Sequence, residues 1–238
     1  MRLHPTFRDK CRARLRGIPG PRELEPSLSL LGDLRRIGWF ASFSAGPQMS
    51  TEPVPWLTYP ALYWLSTVRR ELRAVFEYGS GASTLWWAKR SARVTAVEHD
   101  LHWFRRIAQA APANVSIKHR DGDDYCTAIC DTDEQFDVVV IDGGPSRNAC
   151  VAPAIERLAA DGLVIFDDTH LSYHAEGVER LHADGLRRID FVGPRPGSRF
   201  IEATSIFSRS LDRWAAADGV PAYRPWFDDG SPASAVQT

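Results

Sequence analysis

Short apolar runs alternate with amphipathic stretches from about residue 72 to residue 208. Runs rich in Val, Ile, Phe and Ala predict strands, and apolar residues that recur every three or four positions predict helices. The clearest strand is FDVVVIDGG, which begins at Phe136 and shows no alternation of apolar and polar residues. Such a run is typical of a central parallel strand that is buried on both faces.

Seven strands are predicted in this region: LRAVFEYG, RVTAVEHD, NVSIKHRD, FDVVVIDGG, GLVIFDDT, LRRIDFVG and FIEATSIFS. Helical stretches separate the first six, which indicates βαβ units. Only a loop separates the last two, so these should form an antiparallel hairpin at one edge. The predicted fold class is therefore α/β, a doubly wound and mainly parallel seven-stranded sheet with an antiparallel edge hairpin.

The flanking regions differ in texture from this core. Residues 1–70 are basic and Pro-rich, with two predicted helices in SLSLLGDLRRIGWF and YPALYWLSTVRREL. Residues 211–238 contain few β-branched side chains and are predicted to be a C-terminal tail. We therefore expect an N-terminal extension with a helical cap over 1–70, a ligand-binding domain over 71–210 and a tail over 211–238.

Composition excludes several classes of protein. The chain has 238 residues, 29 basic and 30 acidic, for a formal net charge of −1. No apolar run approaches the ~20 residues that a membrane-spanning helix needs. The near-zero charge argues against a general nucleic-acid binder, and the basic N-terminus lacks the apolar core of a secretory signal. We expect a cytoplasmic protein with a small-molecule substrate, and leave homo-oligomerisation open.

The turn after the first predicted strand carries the main functional signal. In a doubly wound sheet, ligands bind beyond the carboxyl ends of the strands. Here that end reads EYGSGAST, in which Gly79 and Gly81 allow a tight turn and a close approach to the backbone. Glu98 ends the second strand, where a carboxylate can accept hydrogen bonds from ribose hydroxyls. Together these features predict a nucleoside-containing cofactor.

Nicotinamide dinucleotides and S-adenosyl-L-methionine both satisfy this pattern. Thr84 stands where a dinucleotide-binding loop has its third glycine. Glu77 would repel a pyrophosphate, whereas a sulfonium and an ammonium group suit an acidic rim. Asp121 follows the third strand and could accept a hydrogen bond from an adenine amino group. The residues thus favour the methyl donor.

The ordered set ExGxGxS, AVEHD, FDVVVIDGG and LAADGLVIFDDTH resembles the class I S-adenosyl-L-methionine-dependent methyltransferases over residues 60 to 208. The resemblance implies a seven-stranded sheet with an antiparallel last strand, and a cap formed by the N-terminal helices over the substrate side. It also implies methyl transfer to a small molecule, which we expect to occur at oxygen. The cofactor-binding residues predicted on this basis are Glu77, Gly79, Ser80, Gly81, Ser83, Glu98, Asp121 and Asp142.

Carboxylates and one histidine after strands four and five are the candidates for chemistry. Asp142 ends strand four, and Asp167 and Asp168 end strand five. Asp142, Asp168 and His170 are the predicted catalytic residues, with His170 as a general base that titrates near neutral pH. The three carboxylates could share Mg²⁺, as in a similar subset of sugar and small-molecule O-methyltransferases. Alternatively they cap the following segments and contact the cofactor.

Two other functions remain open from the sequence. One is an NAD(P)-dependent oxidoreductase on the same type of sheet. The other is a non-catalytic protein that binds a nucleoside cofactor.

Overall fold

The computed structural model describes residues 30–45, 53–68, 70–144 and 146–214. The chain divides into two compact units, Met1–Ser44 and Ala45–Thr238. In the first unit, residues 30–36 are helical and a second helix begins at Trp39. This agrees with the helical spacing in SLSLLGDLRRIGWF. The Trp39 ring packs edge-on against Phe43, with centroids 4.9 Å apart.

The second unit is built on one sheet of seven strands. These are β1 (Leu72–Tyr78), β2 (Ser91–Glu98), β3 (Val115–His119), β4 (Phe136–Ile141), β5 (Leu158–Asp167), β6 (Arg187–Gly193) and β7 (Glu202–Ser208). The strand order is β3-β2-β1-β4-β5-β7-β6. Strands β1 to β5 pair in parallel, and β7 is antiparallel to both β5 and β6. The predicted sheet and its edge hairpin are thus confirmed.

Helices follow the strands in the predicted alternation. The α-helices of this unit are α1 (Tyr59–Thr67), α2 (Ala82–Ala88), α3 (Leu101–Ala110), α4 (Asp123–Thr127), α5 (Arg147–Arg157) and α6 (Ala175–Ala183). Short 3-10 turns lie at Ala128–Asp131, Ser172–His174 and Leu211–Trp214. Among the described residues, no helix is long and apolar enough to cross a bilayer.

The centre of the sheet forms the core. All six residues of β4 are buried, including Asp137, as the apolar run over 138–141 predicted for a central strand. Aromatic side chains fill the space between the sheet and its helices, and Phe76 contacts both Tyr78 and Phe136 through edge-on rings. The strand order reverses direction between β1 and β4, and this switch point is where a doubly wound sheet opens a ligand crevice.

Helix α1 belongs to the same unit as the sheet. The Thr58 hydroxyl donates to the Phe191 carbonyl oxygen at 2.9 Å, and the Tyr59 amide donates to the Pro194 carbonyl oxygen at 2.9 Å. Trp64 packs against Phe191, with centroids 5.6 Å apart. Helix α1 thus lies in the unit Ala45–Thr238, and the boundary at residue 70 stays a prediction. The basic N-terminal residues 1–29 and the tail from residue 215 lie outside the described ranges. The cap role of the N-terminal helices stays a prediction.

Candidate active site

The glycine turn lies against the end of β4. Gly79 has a φ of +107°, a conformation that favours glycine. A Cβ atom at Gly143 would lie 2.6 Å from the Gly79 Cα, so the two backbones approach closely only because both residues are glycine. The Gly143 amide donates to the Tyr78 carbonyl oxygen at 2.7 Å, which fixes the approach. The turns that follow β1 and β4 therefore meet at the switch point of the sheet.

Glu77 lies buried at the carboxyl end of β1. Its carboxyl group accepts hydrogen bonds from the hydroxyls of Ser83 and Thr84, and the Thr84 hydroxyl in turn accepts from the Gly81 amide at 2.9 Å. Burial, with smaller effects of the charges of Asp142 and Glu98, raises the pKa of Glu77 to about 8 against the two hydrogen bonds, which lower it. Glu77 therefore lies close enough to both of those carboxylates for their charges to act on it.

Glu98 binds the glycine turn directly. One carboxylate oxygen accepts from the Ser80 amide at 2.9 Å and from its hydroxyl at 3.0 Å. The other accepts from the amides of His99 and Asp100, each at 2.9 Å. A carboxylate has about four acceptor positions, so a ribose hydroxyl would share Glu98 with these groups or displace one of them.

Trp103 covers the outer side of the glycine turn. Its indole N–H donates to the Ser80 carbonyl oxygen at 2.5 Å. A Cβ at Gly81 would lie 3.8 Å from its ring. Asp100 caps the helix that carries this tryptophan by accepting from the Trp103 amide at 2.7 Å, and that bond lowers the pKa of Asp100. The sequence analysis did not single out Trp103.

Asp121 and Tyr125 lie beyond the third strand. Asp121 is exposed, and its carboxylate accepts from the Gly122 amide at 2.7 Å. Tyr125 is fully buried, and in the described part of the chain its hydroxyl has no hydrogen-bond partner. A Cβ at Gly143 would lie 3.2 Å from that hydroxyl. A buried hydroxyl next to the crevice is thus present, which no sequence motif indicated.

Asp142 and Asp168 are joined by an arginine. One Arg147 guanidinium nitrogen lies 3.4 Å from an Asp142 carboxylate oxygen, and another donates to an Asp168 carboxylate oxygen at 3.0 Å. Burial and the charge of Asp168 raise the pKa of Asp142, against the opposing effect of Arg147. Asp168 has a φ of +60°, which is unusual for a residue other than glycine and typical of strained functional positions.

Asp167 is buried close to this pair. Its carboxyl group accepts from the Thr204 hydroxyl at 2.5 Å, and that hydroxyl accepts from the Thr58 amide at 3.0 Å. Burial and the charges of Asp142 and Asp168 raise the pKa of Asp167 well above its usual range. The structure therefore separates the roles of two adjacent aspartates, which the sequence could not do.

His170 is exposed at the end of the same segment. Its Nδ1 accepts a hydrogen bond from the Ala203 amide at 3.2 Å. A neutral imidazole that accepts at Nδ1 carries its proton on Nε2. In this arrangement Nδ1 already has a hydrogen-bond partner, and the role of His170 as a general base stays a prediction.

A family comparison bears directly on this crevice. Residues 76–169 match a family model described as a methyltransferase domain. The matched segment begins just before Glu77 and ends just after Asp168, so it contains both sides of the crevice. These residues carry a methyltransferase domain. The match confirms the predicted methyltransferase family and enzyme class. No curated protein matches the chain.

Three solved structures are similar to this chain at low sequence identity. A candidate O-methyltransferase from Klebsiella pneumoniae is 15% identical, with a TM-score of 0.50 over 63% of this chain and 77% of that chain. Spermidine synthase from Thermotoga maritima is 12% identical, with a TM-score of 0.50 over 66% of this chain and 58% of that chain. The N-methyltransferase NodS from Bradyrhizobium japonicum, in complex with S-adenosyl-L-homocysteine, is 16% identical over 62% of this chain and 82% of that chain, with a TM-score of 0.44.

The side chains at the predicted magnesium site do not suit a bound magnesium ion. The described residues contain no group of three His, Cys, Asp or Glu side chains placed to hold a metal ion. Asp142 and Asp168 already face a guanidinium, and Asp167 is engaged by Thr204. The sequence correctly predicted that the three aspartates lie close together. It did not indicate that the Arg147 guanidinium lies between Asp142 and Asp168. The available sequence signal was a basic residue, Arg147, five positions after Asp142.

Proposed function

We propose that this methyltransferase transfers a methyl group from S-adenosyl-L-methionine to a hydroxyl oxygen of a small molecule. The observation that carries the proposal is the convergence of Glu77, Glu98 and Asp142 on one crevice, at the ends of three adjacent parallel strands. An acidic crevice suits a ligand that carries a sulfonium and an ammonium group.

The glycine turn after β1 is suited to bind the cofactor at the carboxyl ends of the strands. When bound, S-adenosyl-L-methionine supplies an electrophilic methyl carbon on its sulfonium. Glu77 and Asp142 offer carboxyl oxygens as hydrogen-bond acceptors to the methionine part, and Glu98 offers its carboxylate to the ribose while it keeps Ser80 in place. Asp121 is exposed at the edge where the adenine would lie. The cofactor-binding set remains Glu77, Gly79, Ser80, Gly81, Ser83, Glu98, Asp121 and Asp142.

Asp142 and Asp168 are the groups best placed to orient the acceptor. Each retains partial exposure beside Arg147, with 26% and 18% of its side chain accessible. A carboxylate there can accept the hydroxyl proton of the acceptor as the oxygen attacks the methyl carbon and the carbon–sulfur bond breaks. His170, with its Nε2–H, would donate a hydrogen bond to the acceptor. We therefore assign proton removal to a carboxylate and substrate positioning to His170.

Cofactor choice is tested by thermal unfolding with two ligands. S-adenosyl-L-homocysteine at a hundredfold excess over its Kd should stabilise the protein by about 2.7 kcal/mol, whereas NAD(P)H should leave the Tm unchanged. Glu98→Ala should reduce the shift, while Glu134→Ala, at a carboxylate that pairs with Arg93 on the surface, should not. Stabilisation by NAD(P)H without a response to S-adenosyl-L-homocysteine would refute the proposal.

Acceptor class is tested by product analysis. Panels of small-molecule alcohols, phenols and amines are incubated with S-adenosyl-L-methionine, and formation of S-adenosyl-L-homocysteine identifies an acceptor. Asp168→Asn should lower kcat by about a hundredfold or more while leaving cofactor binding intact. Asp133→Asn, at an exposed surface carboxylate, serves as the matched control. Turnover with RNA or protein in place of every small molecule would overturn the proposed acceptor class.

A further inference from the structure

Arg147 occupies the position between Asp142 and Asp168 where the sequence predicted a divalent cation. Its guanidinium contacts both carboxylates, at 3.4 Å and 3.0 Å. It also donates to the Asp167 carbonyl oxygen at 2.9 Å. Three acceptors from two strand ends therefore hold one planar cation, and 16% of the arginine side chain is accessible.

Arg147 is the positive group that contacts both carboxylates of the Asp142–Asp168 pair. Arg195 also acts on Asp142, but its guanidinium is paired with the buried Glu202. The Asp167 carboxyl group accepts from the Thr204 hydroxyl. The carboxylates of Asp142 and Asp168 both contact the Arg147 guanidinium, which is a positive group.

We propose that Arg147 is a positioning residue that supplies the positive charge which the Asp142–Asp168 pair would otherwise take from a divalent cation. The site then orients its acceptor without a metal ion. Arg147 acts through the two carboxylates, because its guanidinium contacts both and holds them at a fixed separation. The inference rests on the geometry of the pair, and cation binding can be measured whether or not methyl transfer is the activity.

Removal of the guanidinium has a specific consequence under this proposal. Two carboxylates left side by side repel each other unless they share a proton or a cation. Carboxylate oxygens are preferred ligands of hard divalent cations. Arg147→Gln should therefore create a cation site that the wild-type protein lacks, whereas a merely structural arginine would leave cation binding unchanged on replacement.

The test is a titration of the full-length protein with Mn²⁺. Electron paramagnetic resonance measures the concentration of free Mn²⁺ at each step, and thus how much is bound. Arg147→Gln should bind one Mn²⁺ at least about tenfold more tightly than wild type. Arg147→Gln combined with Asp168→Asn should lose that gain, and Arg147→Lys should not acquire it. Arg93→Ala exposes Glu134 at a surface pair and serves as the control for nonspecific binding.

The opposite results are equally clear. Equal Mn²⁺ affinity in wild type and Arg147→Gln would overturn the proposal. Mn²⁺ binding by wild type that Asp168→Asn abolishes would do so as well, and this measurement needs no arginine variant to fold. Circular dichroism confirms folding of each variant, and Arg147→Met, which retains much of the aliphatic stem, replaces Arg147→Gln if that protein is unfolded.

Discussion

One added methyl group at Gly144 should disturb both the backbone and the core. Gly144 has a φ of +89°, and a Cβ there would lie 2.3 Å from a ring carbon of Tyr125. Tyr125 is fully buried, so its ring cannot move aside easily. Gly144→Ala should lower the free energy of unfolding by about 3 kcal/mol, the sum of backbone strain and overpacking. Urea denaturation followed by circular dichroism measures the change.

Gly185→Ala is the matched control for this substitution. Gly185 has a similar φ of +83°, but a Cβ there would meet nothing within 4 Å. It should therefore cost only the backbone term, about 1 kcal/mol. Equal losses at the two positions would mean that the Tyr125 contact contributes nothing to the effect.

Glu77 should make the stability of the ligand-free protein depend on pH. Below its ordinary pKa of 4.5 the group is protonated in both states, so its contribution to folding is fully present. Between 4.5 and about 8 the unfolded chain loses this proton while the buried group keeps it, so stability is lost as pH rises. Glu77→Gln removes this effect. Its unfolding free energy relative to wild type should rise by about 1.4 kcal/mol per pH unit across that window.

The measurement is a series of urea titrations from pH 5 to pH 8 on wild type and variant. Glu134→Gln, a substitution at the surface, corrects for the general response of the protein to pH. A difference between Glu77→Gln and wild type that stays constant over this range would show that the Glu77 proton is not coupled to folding.

At the scale of elements, Thr204 joins three parts of the chain. On β7, its hydroxyl donates to Asp167 at the end of β5 and accepts from the Thr58 amide before α1. Thr204→Val keeps the shape but leaves both buried partners unsatisfied. It should cost about 2–4 kcal/mol of unfolding free energy. Thr204→Ser keeps the hydroxyl and should cost about 1 kcal/mol or less, and equal urea midpoints for Val and Ser would contradict this account.

Hydrophobic patterning predicted the elements well because it depends on burial in the sheet. The unbroken apolar run of β4 has no stable position except the centre of a parallel sheet, which is where it lies. Short polar contacts across loops obey no such pattern. The bond from Asp167 to Thr204 joins residues 37 positions apart, and sequence alone gives Asp167 and Asp168 the same chemistry.

The candidate site shows the same limit. Glycine positions and strand ends located the crevice, because strand ends and tight turns follow from local sequence. The contacts of Arg147 with Asp142 and Asp168 depend on how α5 begins relative to two strands. That relation is set by packing of the whole domain. Only the structure could therefore show an arginine at the place where the sequence predicted a metal ion.

At the scale of the whole molecule, two truncations test whether the sheet-bearing domain begins near residue 45 or near residue 70. Residues 45–238 include the sheet, its helices and α1, so this fragment should unfold within about 4 °C of the full chain and keep its response to S-adenosyl-L-homocysteine. Residues 71–238 lack Thr58, Tyr59 and Trp64, which contact β6, β7 and Pro194. Loss of these contacts should lower the Tm by more than about 5 °C, as differential scanning calorimetry would measure. Equal Tm values for the two fragments would instead place the boundary at residue 70.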